Sequence, residues 1–352
     1  MFVNVQNVPS LVDCQIKAWG SAYTPNDSRF SVLTQEDFIR QKMSEAGRRE
    51  LLGPMDHDSA EAIAATARKW STQTGIEKRI FFDGSTSELA AIAAKDCLEK
   101  AVVSPAQLDL IIGGTNTGPG YPSLADHVKL SLGDESARAA CWDLAEACPV
   151  GAAAIFNGWA MIRSGACQRV LVVCAEKATT LTNADNWRGA NLFGDGAFAV
   201  LLVAGDGDSF VFFEGDCLPF DGNLGKVVKD ETTGFFQDGL AVHKFVGNVA
   251  SAHLIKAVAE AGIDPADIKH LVPHQPSGKT LDLLLRKLQK AWPELRREQM
   301  QQNVSFTGNT SGASTGSIIS HKIDEGVIKP GELVVVTTFG SGLAIFNYGF
   351  RM

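Results

Sequence analysis

The segment that decides the fold class is Leu333-Val-Val-Val-Thr-Thr-Phe-Gly-Ser-Gly342, followed by Leu343-Ala-Ile-Phe-Asn-Tyr-Gly349. Its apolar, β-branched run predicts a strand buried on both faces, then a glycine turn and a second strand. An earlier part of the chain has the same order, with Arg169-Val-Leu-Val-Val-Cys-Ala-Glu176, then Gly194-Asp-Gly-Ala197 and Phe198-Ala-Val-Leu-Leu202. The repetition predicts an internal duplication with two similar halves.

The rest of the chain alternates short apolar segments with stretches of helical length. The further predicted strands are Leu108–Gly113, Ala139–Leu144, Phe210–Glu214 and His270–Pro273, and the predicted helices are Ser87–Val102, Val150–Ser164 and Val249–Ala261. This alternation is typical of an α/β protein with buried central strands. We place the boundary between the halves after residue 205, which gives units of 1–205 and 206–352.

Two polar regions interrupt this alternation. Residues 27–68 are an additional charged segment of the N-terminal half, and their part Gln35–Leu52 is predicted to form one amphipathic helix. The loop Leu218–Asp238 carries glycines and charged residues. It is predicted to be an exposed excursion that covers a site.

The composition limits the classes of function. The chain of 352 residues is 45% hydrophobic and 20% charged, as expected of a globular protein with a sizeable core. Its net charge of −8 argues against general nucleic-acid binding, and no apolar run is long enough to span a membrane. Its seven cysteines are predicted to be reduced thiols of a cytoplasmic protein without a signal peptide. No ligand spacing indicates a metal site.

Three polar residues lie in short motifs that suit a buried site. Cys148, in Asp143-Leu-Ala-Glu-Ala-Cys148-Pro-Val-Gly151, precedes a predicted helix whose positive N-terminal dipole would favour the thiolate. His274 ends a buried strand, and Asn309 lies in a glycine-flanked turn. Taken singly, such residues are more often a core thiol, a satisfied histidine and a turn former. Together, a thiol, an imidazole and an amide are the groups that a thioester-handling enzyme needs.

Five short motifs follow one another along the chain: Ala147-Cys148, Phe193-Gly-Asp-Gly-Ala197, Pro273-His-Gln275, Gly308-Asn-Thr-Ser311 and Phe339-Gly-Ser-Gly342. Their order resembles the ketoacyl-synthase III family of the thiolase superfamily, and the likeness extends from about Trp70 to Met352. This family includes enzymes that start fatty acid and aromatic polyketide synthesis. The resemblance implies a five-layered αβαβα fold made of two related halves, and a homodimer.

The resemblance also implies catalytic roles. Cys148 would be the nucleophile that takes an acyl group from a thioester. His274 and Asn309 would hydrogen-bond the carbonyl oxygen of a malonyl-type extender thioester and stabilise its enolate after decarboxylation. The backbone N–H groups of Cys148 and Ser341 would form a second oxyanion hole.

The matching positions for substrate recognition are Trp70, Tyr121, Arg188, His243 and Ser277. In relatives, the tryptophan stacks on the adenine of coenzyme A, and the residue at the position of Tyr121 closes the acyl pocket of the dimer partner. The acidic acyl carrier protein would dock on Lys244, Lys279, Arg286 and Lys287. Acyl-CoA or an acylated carrier protein would be a substrate, and no cofactor is implied.

Two other functions remain open at the level of sequence. The first is acyl transfer, or condensation of acyl thioesters without decarboxylation or a malonyl extender. The second is a non-catalytic partner subunit of a synthase. Retention of Cys148, His274 and Asn309 favours decarboxylative condensation over both, because acyl-transferring relatives often replace the amide and partner subunits commonly lack one of the three.

Overall fold

The computed structural model describes residues 1–9, 11–134, 138–182, 184–185, 189–230 and 234–352. Within these ranges the strands are β1 (Phe2–Asn4), β2 (Asp13–Ser21), β3 (Phe30–Thr34), β4 (Lys78–Phe82), β5 (Leu110–Gly114), β6 (Ala140–Leu144), β7 (Arg169–Lys177), β8 (Asp195–Gly205), β9 (Phe210–Cys217), β10 (Val227–Asp230), β11 (Gly234–Gln237), β12 (Ile268–Pro273), β13 (Leu333–Phe339) and β14 (Ala344–Arg351). The helices are α1 (Gln35–Gln41), α2 (Glu45–Leu52), α3 (Ala60–Thr74), α4 (Thr86–Ala101), α5 (Leu124–Leu132), α6 (Val150–Arg163), α7 (Gly239–Phe245), α8 (Ser251–Glu260), α9 (Gly278–Ala291), α10 (Val304–Thr307) and α11 (Ser314–Asp324). None of the helices in these ranges has the length and apolar character needed to cross a membrane.

Two five-stranded mixed sheets form the framework of the molecule, in the orders β2-β8-β7-β5-β6 and β1-β9-β14-β13-β12. In the first sheet, β7 is parallel to β5 and antiparallel to β8, which is antiparallel to β2. In the second sheet, β13 is parallel to β12 and antiparallel to β14, which is antiparallel to β9. Four strands of each sheet, β5-β7-β8-β2 and β12-β13-β14-β9, therefore repeat one topology, and the predicted internal duplication is confirmed.

The N-terminal strand belongs to the sheet of the other half. β1 pairs antiparallel with β9, with Phe2 opposite Glu214. The α-amino group of Met1 donates a hydrogen bond of 2.7 Å to the carbonyl of Gly215. The boundary after residue 205 separates the remaining strands of the two large sheets, but it assigns β1 to the wrong half, because three residues carry too little pattern to indicate a partner.

Helices occupy three layers around the two sheets. Between the sheets, Ile155 of α6 and Ile319 of α11 share one buried cluster with Val172 of the first sheet and Val336 of the second. A second cluster joins α4 and α5 to the outer face of the first sheet. A third cluster joins α8 and α9 to the outer face of the second sheet. This is the five-layered αβαβα arrangement expected from the sequence.

The additional N-terminal segment, residues 27–68, contains a strand, two short helices and the first part of α3. α1 ends at Gln41 and α2 begins after Ser44, whose hydroxyl accepts a 3.0 Å hydrogen bond from the N–H of Gly47. The prediction of one continuous helix over Gln35–Leu52 is therefore wrong, because a capping serine starts a new helix. β3 pairs antiparallel with β4.

Candidate active site

Cys148 lies in a tight turn between β6 and α6. The preceding residue, Ala147, has a φ of 46°, in the left-handed region that costs a non-glycine residue about 1–2 kcal/mol. Its carbonyl accepts hydrogen bonds from Asn116 Nδ2 at 2.8 Å and from the N–H of Val150 at 3.2 Å. These contacts hold the thiol just before the N-terminus of α6.

His274 directly follows β12, and its N–H donates to the carbonyl of Thr337 at 2.7 Å. The residue is 2% exposed, and burial lowers the pKa of its imidazole to about 3, so the ring is neutral at physiological pH. Ring atom Nδ1 is 3.0 Å from Ser314 Oγ, and the ring packs edge-on against Phe339. When Ser314 donates to Nδ1, the ring proton lies on Nε2, which has no hydrogen-bond partner among the described residues.

Asn309 is held by contacts with its own half and with the other half. Its N–H donates to the carbonyl of Leu192 at 2.8 Å, and its carbonyl accepts from the N–H of Gly194 at 3.1 Å. Its side-chain Oδ1 accepts a hydrogen bond of 2.9 Å from the N–H of Ser311. The acceptor end of the amide is therefore occupied, and Nδ2 is left as a donor for a ligand.

Gln275 connects His274 to the segment that carries Asn309. Its Oε1 accepts hydrogen bonds from the N–H groups of Asn303 and Val304, at 3.2 and 3.3 Å, where α10 begins. α10 is only one turn long and leads directly into the turn of Asn309. The glutamine therefore fixes the relative positions of the imidazole and the amide.

Cys148, His274, Asn309 and Ser341 line one cavity of about 190 Å³ between the two halves. A Cβ atom on Gly340 would lie only 2.9 Å from the backbone nitrogen of Cys148. Only glycine therefore allows the turn of Ser341 to approach the nucleophile so closely. The residues predicted for catalysis from distant motifs are brought together at one site.

The hairpin of β10 and β11 covers this cavity. Val227, Val228, Lys229, Phe235 and Gln237 line it. The Ser341 hydroxyl donates a 2.5 Å hydrogen bond to the carbonyl of Val227, and Phe235 packs edge-on against Phe193 at 4.8 Å. The predicted site-covering role of the loop Leu218–Asp238 is therefore confirmed.

Comparison with known proteins agrees with this arrangement. Models of the 3-oxoacyl-[acyl-carrier-protein] synthase III family match residues 142–216, and of its C-terminal part residues 258–351. The β-ketoacyl-[acyl-carrier-protein] synthase III of Rubrobacter xylanophilus is 34% identical over 292 residues, which are 80% of this chain and 89% of that protein. The chain belongs to the 3-oxoacyl-[acyl-carrier-protein] synthase III family.

Solved structures give the same fold. The synthase III of Aquifex aeolicus superposes with a TM-score of 0.81 at 25% identity, covering 96% of this chain and 100% of that one. The priming β-ketosynthase of the R1128 polyketide pathway superposes with a TM-score of 0.81 at 23% identity, covering 98% of each chain. The protein is thus a thiolase-like condensing acyltransferase of the synthase III type.

The protonation state of the nucleophile differs from the expectation for this synthase III. Burial raises the pKa of the Cys148 thiol to about 12, although a hydrogen bond from Ser311 and the backbone N–H of Cys148 lower it. The prediction of a thiolate at the helix N-terminus is therefore wrong for the free enzyme, because desolvation outweighs the helix dipole. A base must accept the thiol proton when the cysteine reacts.

Sequence reasoning missed several polar residues of the site. Asn116 and Ser311 line the cavity, Ser314 positions the imidazole, and Glu176 lies behind the nucleophile. Burial raises the pKa of Glu176 to about 7. The only sequence signal for this group was a glutamate at the end of the apolar run of β7, because such a run predicts that its last residues are buried too.

Three of the residues predicted for substrate binding do not line the cavity. Trp70 is 4% exposed in a core cluster with α1, so its indole is not available to stack on a base in this conformation. Ser277 caps α9 through the N–H of Thr280 instead of lining the cavity. His243 is exposed on α7, where its neighbours Val242 and Phe245 line the cavity.

The other two residues predicted for substrate binding are Arg188 and Tyr121. Arg188 lies outside the described residues. Tyr121 is 100% exposed in the loop before α5 and does not line the cavity of its own chain.

The cations predicted to dock a carrier protein lie on two helices beside the cavity. Lys244 is exposed on α7, and Lys279 and Arg286 are exposed on α9. Lys287 donates to Asn248 Oδ1 at 3.0 Å and is partly covered. α9 begins two residues after Pro276, which lines the cavity, so this basic helix starts at the site.

No group of three or more His, Cys, Asp or Glu residues suited to hold a metal ion occurs in the part of the chain that the structure describes. All seven cysteines are free.

Proposed function

We propose that this synthase III forms a β-keto thioester in two steps on the residues of the cavity, with Cys148 as the covalent nucleophile. The observation that carries the proposal is the convergence of a thiol, a neutral imidazole and a free amide donor on one apolar cavity. In the first step, the sulfur attacks an acyl thioester and releases the donor thiol. The backbone N–H groups of Cys148 and Ser341 stabilise the tetrahedral oxyanion.

In the second step, a malonyl-type thioester loses carbon dioxide and its enolate attacks the acyl-cysteine. His274 Nε2 and Asn309 Nδ2 donate to the enolate oxygen, and each donor contributes on the order of 3 kcal/mol. A neutral imidazole suits this role, because it retains a proton to donate without changing its charge. The low pKa of His274, which results from burial, keeps the ring in this form.

The placement of the amide supports condensation over the alternatives. A simple acyl transferase, or a condensing enzyme without a decarboxylating extender, does not need two neutral donors to stabilise an enolate beside the acyl-cysteine. A non-catalytic partner subunit does not need an Asn309 whose Oδ1 is tied to Ser311 while Nδ2 remains free. We therefore retain decarboxylative condensation as the proposed reaction.

The acyl donor and the extender reach the cavity on coenzyme A or on an acyl carrier protein. The exposed Lys244, Lys279 and Arg286 support docking of the acidic carrier, because they lie on the two helices beside the cavity in a protein of net charge −8. Lys287 belongs to the same surface. Since Trp70 is buried, recognition of coenzyme A by stacking on this residue is not part of the proposal.

The functional unit is proposed to be a homodimer. Tyr121 is fully exposed in the loop between β5 and α5 and does not line the cavity of its own chain, whereas Asn116 at the start of this loop does. A large aromatic side chain in this position is well suited to a protein interface. In a dimer it would reach the acyl pocket of the partner.

Intact-mass spectrometry of the protein incubated with a panel of acyl-CoA and acyl-carrier donors tests the proposal. We expect a covalent acyl adduct that is absent from Cys148→Ala and present in Cys217→Ala, since Cys217 is the exposed thiol. Addition of malonyl-CoA or malonyl-carrier should discharge the adduct with release of carbon dioxide. The absence of an adduct with every donor, or its survival in Cys148→Ala, would refute the covalent mechanism.

A further inference from the structure

The buried carboxylate of Glu176 lies at the end of β7, directly behind the nucleophile. The residue is 0% exposed, and its oxygens accept from the N–H of Asn116 at 3.2 and 3.1 Å and from Thr117 Oγ1 at 2.9 Å. Asn116 Nδ2 donates both to Glu176, at 2.5 Å, and to the carbonyl of Ala147. The acid and the turn of the nucleophile are therefore held by the same amide.

The turn of Ser311 connects this acid to the thiol. The Ser311 hydroxyl donates to Cys148 Sγ at 3.9 Å, and the next residue packs against the acid, since a Cβ atom on Gly312 would lie 3.3 Å from Glu176 Oε1. Hydrogen bonding by the Ser311 side chain also lowers the pKa of Glu176. The backbone of Ser311 is held at a φ of 50° by the hydrogen bond to Asn309 Oδ1. The hydroxyl therefore lies between a thiol and a carboxylate, where it can accept a proton from one and pass its own to the other.

The other ionisable groups around Glu176 do not neutralise it. Cys148 and Cys174 face it, and its charge raises the pKa of each thiol. The ammonium of the next residue, Lys177, turns away and donates to the carbonyls of residues 82 and 84, at 2.9 and 2.6 Å. On β8, Asp195 is bound by backbone and hydroxyl groups of its own surroundings. The imidazole at the site, His274, is hydrogen-bonded to a serine and neutral.

We propose that Glu176 accepts, through the Ser311 hydroxyl, the proton that leaves Cys148 when the cysteine is acylated. The thiol proton moves to Ser311 Oγ while the Ser311 proton moves to the carboxylate. Cys148 Sγ forms a bond to the thioester carbonyl carbon, and the bond from this carbon to the donor sulfur breaks. The released thiolate takes up the proton as it leaves, so that Glu176 is again a carboxylate.

The proton affinity of this acid fits the task. A group that accepts a proton during catalysis works best when its pKa is near the working pH, and burial raises the pKa of Glu176 to about 7. Glu176 acts through Ser311 and is a positioning residue. The proposal rests on the proposed role of Cys148 as nucleophile.

Alkylation of Cys148 by iodoacetamide, followed from pH 5 to 9 in a Cys217→Ala background, tests the relay without any substrate. In the parent protein the rate should rise through a step near pH 7 and reach a plateau, because the carboxylate can then take the thiol proton. Ser311→Gly, which suits the positive φ, and Glu176→Gln should each lose this step and react roughly 100-fold more slowly at pH 8. One of these two variants is sufficient to test the relay if the other does not fold.

Thr117→Val is the matched control. It removes another hydroxyl that donates to Glu176 and lowers its pKa, but this hydroxyl is not the one beside the thiol. The step should therefore persist and move to higher pH. A step near pH 7 that survives in both Ser311→Gly and Glu176→Gln would overturn the relay.

Acetyl-CoA adduct formation, measured on the same variants, separates this proposal from the proposed function. A Glu176-dependent alkylation step in a protein that no acyl donor labels would support the relay and contradict the acyl-transfer role of Cys148. A normal acyl adduct, together with a pH profile that is unchanged in Ser311→Gly and Glu176→Gln, would support the acyl-transfer role of Cys148 and contradict the relay.

Discussion

The amide of Asn309 makes two separable contributions, and a pair of substitutions can distinguish them. Its Oδ1 accepts the N–H of the buried Ser311 at 2.9 Å, which supports the turn. Asn309 lines the cavity, and its Nδ2 is the proposed enolate donor. Asn309→Ala removes both contacts, whereas Asn309→Asp retains the acceptor and loses the donor.

The expected magnitudes follow from these contacts. Loss of one oxyanion donor should slow condensation by a factor on the order of 100–1,000. An unsatisfied buried N–H should lower the free energy of unfolding of Asn309→Ala by about 1–3 kcal/mol. Asn309→Asp should condense at least as slowly as the alanine variant, because a carboxylate repels the enolate. Acylation of Cys148 should stay within about tenfold of the parent rate in both, since its oxyanion donors are backbone groups.

The assay pre-acylates the enzyme with acetyl-CoA and follows discharge by malonyl-CoA or malonyl-carrier, with urea unfolding measured in parallel. Condensation by Asn309→Ala within about threefold of the parent enzyme would refute the enolate role. Unchanged stability of Asn309→Ala would show instead that the bond to Ser311 does not support the turn.

Three further predictions concern groups around the site. Glu176 binds its proton more tightly in the folded state, with a pKa raised from 4.5 to about 7. The protonated side chain should therefore stabilise the fold below pH 4.5, and this stabilisation should be lost as the pH rises to 7, by about 1.4 kcal/mol per pKa unit. Urea unfolding at pH 5 and pH 8 measures the loss, which Glu176→Gln should remove. Trp70→Ala should lower the free energy of unfolding by about 3–5 kcal/mol, because the indole belongs to the hydrophobic core. For the same reason, Trp70→Phe should leave the KM for acyl-CoA unchanged. A raised KM in Trp70→Phe would restore the stacking role. Lys279→Glu and Arg286→Glu should raise the KM for a carrier-bound donor and leave that for the CoA thioester unchanged, with a smaller effect at high salt. Equal effects on both donors would argue against carrier docking.

The sequence was most informative where chemistry restricts the choice of residue. Apolar runs predicted β7 and β13, because a strand buried on both faces has few alternatives. The motifs of Cys148, His274 and Asn309 were recognisable, because each combines a reactive group with a turn that needs glycine or a tight bend. These features are local, and local patterns survive in the folded structure.

Features that depend on what surrounds a residue were predicted less well. Trp70 lies on one face of α3, and only packing against α1 shows that this face is buried. The thiolate expected at Cys148 followed from the helix dipole, whereas desolvation depends on the whole cavity. Ser311 was missed because its proximity to the nucleophile arises from the contact between the two halves. Glu176 was missed because it is linked to the turn of Cys148 through Asn116, which follows the neighbouring strand β5.

That contact explains why the duplicated fold suits this chemistry. Cys148 belongs to the N-terminal half and Ser311 to the C-terminal half, and they meet where α6 starts beside the turn before α11. A Cβ atom on Gly312 would overlap Val150 Cγ1 in the first turn of α6 and would lie 3.3 Å from Glu176 Oε1. Any larger residue would therefore push the serine turn away from α6 and the acid. Because Gly312 has no side chain, the C-terminal half can place the Ser311 hydroxyl between Cys148 and Glu176 of the N-terminal half.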